Sequence, residues 1–182
     1  MARLAPLDLD QLQPEQRAVA DAIISGPRGG LRGPFEAWLL SPELADRAQK
    51  LGEYCRFGTS LPRDLSEFAI LLTGKHWKAQ FEFWAHARLA REAGLPDDII
   101  EAVASNATPS FRNEAQRAVY ALVTEHFATN RVSEPTYRLA ISELGERGLV
   151  DLVGVVGYYC MVSMTLNVFD VGLPPGQSEL LP

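Results

Sequence analysis

No stretch of this chain alternates apolar and polar residues long enough to make a strand, whereas apolar residues recur at helical spacing almost from end to end. That feature predicts an all-α fold of about seven to eight helices in a single domain over residues 1–182. Proline and glycine punctuate the pattern. Pro14 opens a helix to about residue 25, and Gly26-Pro27-Arg28-Gly29-Gly30 is a loop by its turn residues. Residues 34–40 suit one or two helical turns. Ser41-Pro42-Glu43 joins a capping hydroxyl, a proline at the first helical position and an acid at the positive end of the helix dipole. It starts a helix to about residue 57, which Gly58 ends. The same start signal recurs over 60–64 with Pro62. Further helices are predicted up to about His76 and over 78–93, 96–106, 113–129, 133–145 and 149–169. The tail from about residue 172, rich in Pro and Gly, is expected to be loose.

Charge narrows the function. The net charge of −6, with 17 basic residues scattered along the chain, argues against nucleic acid or an anionic membrane as a partner. Met1-Ala2-Arg3-Leu4-Ala5-Pro6 lacks the apolar core of a signal peptide. The longest apolar stretch, 149–171, carries Asp151, Asn167 and Asp170 and reads as a buried core helix rather than a membrane span. Cys55 and Cys160 form no CxxC and no metal-ligand spacing, which suits a cytoplasmic chain with two structural thiols.

One local rule is broken. On a helix over 78–93, at 100° per residue, Ala79, Phe83, Ala87, Leu89, Ala90 and Ala93 share one arc, and Glu82 and His86 fall in its middle. Four residues apart, these two side chains meet. Ionisable groups on a core-facing stripe are costly unless partnered, and such breaks concentrate at functional sites. The preceding helix places Glu67 among Phe68, Ile70, Leu71 and Gly74. An antiparallel hairpin turning near His76-Trp77 would set Glu67 opposite His86. Such a trio suits proton transfer. Imidazole titrates near neutrality, one carboxylate fixes its tautomer and raises its basicity, and a second carboxyl in an apolar pocket serves as an acid. A metal reading is weaker, because the trio has one histidine and lacks the Glu-x-x-His spacing of ferritin-like sites. No metal and no cofactor is therefore expected.

The segment Leu61-Pro62-Arg63 through Glu67, then Ala79, Glu82 and His86, then Ala90-Arg91-Glu92-Ala93-Gly94-Leu95, resembles the carboxymuconolactone decarboxylase-like superfamily, which includes the alkylhydroperoxidase AhpD proteins. The resemblance implies an AhpD-like helical bundle, a homo-oligomer (trimer or hexamer), and a catalytic set of Glu67, Glu82 and His86. In AhpD-type peroxidases two cysteines stand at the positions of Ala79 and Glu82, so thiol peroxidase activity loses both its attacking and its resolving group here. The decarboxylase side of the family works by acid–base chemistry around the histidine. The resemblance thus implies a lyase or isomerase acting on a small oxygenated, carboxylated ring or lactone, with peroxidase-type activity and a non-enzymatic ligand-binding oligomer as alternatives.

Other residues carry less. Phe81 and Trp84, on the side of the helix away from His86, call for a covering element or a subunit interface. Trp77, Tyr158 and Tyr159 read as core packing, and Arg63, Lys75 and Lys78 as solvated charges. His76 and His126 read as surface or helix-end residues.

Overall fold

The computed structural model describes residues 3–182; Met1 and Ala2, the start of the segment read for a leader, lie outside the described residues. The described residues contain eight α-helices and no strand. The helices are α1 (Pro14–Ser25), α2 (Phe35–Trp38), α3 (Pro42–Glu53), α4 (Arg63–His76), α5 (Gln80–Glu92), α6 (Asp97–Ala104), α7 (Glu114–Thr129) and α8 (Glu134–Val168). A single π-helical turn, Tyr54–Gly58, continues α3 and ends at the glycine.

The hub is α4. Every residue from Leu65 to Gly74 is buried, because four helices surround the segment and enclose its polar members Ser66, Glu67 and Thr73 with the apolar ones. It packs against α5, α6, α7 and α8. The turn to α5 closes through Lys78, whose φ of 51° reverses the chain, and the Ala79 amide donates back to the Gly74 carbonyl. Asn113 caps α7, its side chain accepting from the Gln116 amide. Asp151 of α8 fastens the π turn and the segment after it, accepting from the Tyr54 hydroxyl and from the Ser60 amide and hydroxyl, each at 2.7 Å.

The last helix is two helical segments joined at Gly145, where a φ of 68° interrupts the repeat at the break expected from sequence. By length and composition α8 is apolar enough to cross a membrane, but 61 % of its most apolar window is buried inside the protein. It is a core helix packed on α4 and α7. The tail departs from expectation. It has no helix, yet its end is held. Gln80 donates to the Leu181 carbonyl at 2.6 Å and accepts from the Leu180 and Leu181 amides, and the Leu181 side chain is 4 % exposed. Pro and Gly excluded regular structure there but not docking, which one buried leucine and one glutamine side chain supply.

Candidate active site

The α4–α5 hairpin brings Glu67, Glu82 and His86 together. His86 Nδ1 donates to Glu67 Oε2 at 2.6 Å, and His86 Nε2 lies 2.9 Å from Glu82 Oε1. All three are buried, with His86 6 % exposed. The two contacts are unequal. The Glu67 bond is aligned, whereas Glu82 Oε1 lies off the line of the N–H and has no other hydrogen-bond partner. It is a charge contact, and it leaves Nε2–H and a carboxylate oxygen both unsaturated. The ring nitrogens point away from each other, so the two carboxylates flank the imidazole and do not converge on one point. Among the described residues no group of three or more His, Cys, Asp or Glu is placed to hold a metal ion.

Burial is the largest single influence on the imidazole and pushes its pKa down, but the charges of Glu67 and Glu82, with the hydrogen bond to Glu67, outweigh it and raise the pKa to about 9. The direction of the shift favours the protonated ring at neutral pH. The His86 ring meets Tyr159 edge to face, centroids 5.0 Å apart.

A cavity of about 1280 Å³ adjoins this cluster. Glu82 and His86 line it, and Glu67 does not. The arrangement has depth: Glu67 stands behind the imidazole and fixes it through Nδ1, while the His86 ring and Glu82, with Nε2 against Glu82 Oε1, line the cavity. Arg28, Arg56, Tyr158 and Tyr159 also line the wall. The two tyrosines had read as core, and they are core in burial, but α8 turns both to the cavity as well. Nothing in the local sequence singles out Arg28 or Arg56; one sits in a glycine-rich loop and the other on the π turn. Arg63, Lys75 and Lys78 do not line the cavity, and Lys75 donates to the Ala104 carbonyl. Trp77 also lies off the wall. Phe81 and Trp84, expected on the side away from His86, are half-buried and line the same cavity, Phe81 against the loop at Gly33 and Trp84 Nε1 donating to Gln177 of the tail at 3.0 Å.

Gly52 of α3 leaves room for this wall. A Cβ there would stand 2.1 Å from the Tyr158 hydroxyl and 2.4 Å from Arg28 Nη2. The arginine can swing away, but the tyrosine is 4 % exposed and cannot. Gly52→Ala is expected to destabilise the protein by ~1–3 kcal/mol, the usual overpacking cost. The measurement is a urea unfolding midpoint at unchanged slope; an unmoved midpoint would show that the tyrosine yields.

The helices and their hairpin define an all-α fold built around a buried glutamate–histidine cluster. No family model matches the chain, and no curated protein matches it in sequence. Solved structures do match in fold. An uncharacterized peroxidase-related protein from Silicibacter sp. TM1040 aligns over 97 % of this chain and 95 % of its own, at TM-score 0.77 and 15 % identity. A peroxidase-related protein with an alkylhydroperoxidase AhpD core, from Ralstonia eutropha JMP134, aligns over 96 % and 93 % at TM-score 0.78 and 12 % identity. The debrominase Bmp8 aligns over 93 % and 91 % at TM-score 0.75 and 14 % identity, and a variant of it was solved in complex with 2,3,4-tribromopyrrole. The AhpD-like fold is thereby shown.

Proposed function

We propose that this protein is a lyase or isomerase of the carboxymuconolactone decarboxylase type, acting by proton transfer on a small oxygenated, carboxylated ring or lactone. The observation that supports it is a buried imidazole that lines a cavity together with Glu82, while Glu67, bonded to Nδ1, does not reach that wall. His86 is the proton donor through Nε2. Glu82, which lines the cavity beside the ring, accepts a proton from the substrate or orients the group that carries it. A donor and an acceptor side by side suit moving a proton between neighbouring atoms, or delivering one to carbon as a carboxylate departs. The ring compound bound to the debrominase of like fold shows that this architecture accepts a small ring in that protein. The reading includes a homo-oligomer, trimer or hexamer, for which the exposed Val150, Val153, Met164 and Val168 on α8 offer an uncharged face. It also includes a cytoplasmic setting, in keeping with two free thiols.

The test is turnover of γ-carboxymuconolactone and a panel of carboxylated lactones and β-keto acids, followed by ultraviolet absorbance and carbon dioxide release. Wild type is expected to turn over at least one, and Glu82→Gln to reduce that rate ~100-fold, the scale of one acid–base group. A wild-type protein inert against the whole panel would remove the lyase reading.

A peroxidase is the second reading, favoured by the names of the peroxidase-related structures. Against it, no cysteine lines the cavity, and burial pushes the Cys55 thiol up to about 11, far from a reactive thiolate. Peroxide consumption is expected to be the same in the protein and in its Cys55→Ser/Cys160→Ser variant; a loss in the variant would restore the thiol mechanism.

A further inference from the structure

We propose that Arg28 and Tyr158 form a carboxylate-binding subsite in the wall of the cavity, which anchors the anionic end of the substrate. The inference deepens the proton-transfer reading and rests on it only for what happens to the bound molecule.

Five arginines line the cavity, and they differ in whether their charge is answered. Arg88 pairs with Glu92 and Arg91 with Asp97. Among the described residues no carboxylate lies within ion-pair distance of Arg28, Arg32 or Arg56. Arg32 is exposed and solvated. Arg56 rests on the ring of Phe57. Arg28 is the one that is built in. Its guanidinium lies 5.0 Å from the centroid of the Phe35 ring, its Nη2 lies 3.5 Å from the Tyr158 hydroxyl, and its Nε is buried with no partner. The absence of a side chain at Gly52 is what lets Nη2 and the tyrosine hydroxyl sit together.

A half-buried guanidinium that has lost water and gained no anion is a costly arrangement unless a ligand completes it. The chemistry of the ligand follows from the donors. A guanidinium presents a planar fork that matches a planar carboxylate. Burial pushes the Tyr158 phenol up to about 12, so it stays protonated and adds a neutral O–H donor beside the fork. The anchor is also connected to the reacting group. Tyr158 meets Tyr159 edge to face at 5.2 Å, and Tyr159 meets His86 at 5.0 Å. Two aromatic contacts link the anchor to the imidazole along the wall that Tyr158, Tyr159 and His86 share, so a ring held by its carboxylate at Arg28 would lie along the same wall as His86.

The experiment is calorimetric titration of the full chain with benzoate, benzamide and inorganic phosphate. Benzoate is expected to bind at least ~10-fold more tightly than benzamide, as a charge-assisted hydrogen bond dictates. Arg28→Gln should weaken benzoate ~10-fold or more and Tyr158→Phe ~3-fold, with benzamide unmoved in both. Arg28→Lys, which keeps the charge without the fork, should fall between wild type and Arg28→Gln, and it carries the test with Tyr158→Phe if the glutamine variant does not fold. Arg138→Gln, an ion-paired arginine outside the cavity, is the control and should change nothing. Equal binding of benzoate and benzamide, no benzoate binding at all, or indifference to Arg28 would overturn the subsite. Tighter binding of phosphate than benzoate would overturn its assignment to a carboxylate. Binding is read without turnover, so failure here leaves the His86 reading standing, and an inert His86 leaves the subsite standing.

Discussion

Replacing His86 by glutamine will lower turnover of whichever lactone or keto acid the protein accepts by at least ~100-fold, because the only cavity-facing proton donor of the trio is lost. Glutamine is the better probe than alanine. Deleting the ring outright would leave two buried carboxylates facing an empty space, and the cost of an unanswered buried charge would mix a folding defect into the rate. The amide still donates to one carboxylate but carries no transferable proton. The pH profile then separates a catalytic group from a packing group. With the imidazole pKa at about 9, kcat/KM should hold across neutrality and fall as pH passes that value, since the acid form is the working form. Glu67→Gln removes a raising influence while leaving Nε2 in place, so the alkaline limb should move toward neutrality, with a smaller loss of rate at pH 6 than at pH 8. A profile that rises with pH through the same range would make His86 a base and reverse the assigned roles. Unchanged turnover in His86→Gln on a verified substrate would end the assignment altogether.

Much of this site was legible because its three members lie on consecutive helices. A turn near residue 76 fixes the register by symmetry, so Glu67 falls opposite His86 without any long-range information. The boundaries followed from the same local chemistry: α4 ends at His76 as read from sequence, and α7 begins one residue after the expected start, Asn113 serving as its cap. The one shift in the hairpin, a start at Gln80 rather than Lys78, comes from the left-handed turn residue that the reversal needs and that lysine does not advertise. The π turn at Tyr54–Gly58 gave no signal either, since its composition is that of an ordinary helix end. The far wall of the cavity was not legible. Tyr158 is 130 residues from Arg28 in sequence, and their meeting depends on the absence of a side chain at Gly52, on α3. Periodicity can say that Tyr158 is buried. Only the packing of α3 against α8 says that its hydroxyl meets a cation at a cavity.

The same buried charge makes stability depend on pH, with a sign that follows from the direction of the shift. The folded protein holds the His86 proton to about 9, whereas an unfolded chain releases it near 6.5. A group whose pKa is raised on folding contributes in full below the unfolded value and loses that contribution as pH rises through the folded one. Unfolding free energy should therefore fall between about pH 6.5 and 9, by up to ~3 kcal/mol at 1.36 kcal/mol per unit of pKa. Other groups border that window without filling it. Burial lowers the pKa of His76, so its effect lies on the acid side, where stability is lost as pH falls. The raised Cys55 thiol and Tyr158 phenol act on the alkaline side, from about 9 and 10 upward, because the unfolded chain ionises them first. The His86→Gln variant separates these contributions. Urea unfolding at intervals from pH 6 to 10 should show a slope across 6.5–9 in the wild type and almost none in the variant, with the steeper loss above pH 9 common to both. If the two curves run parallel, the imidazole is not held protonated by its carboxylates, and an acid role at neutral pH falls with it.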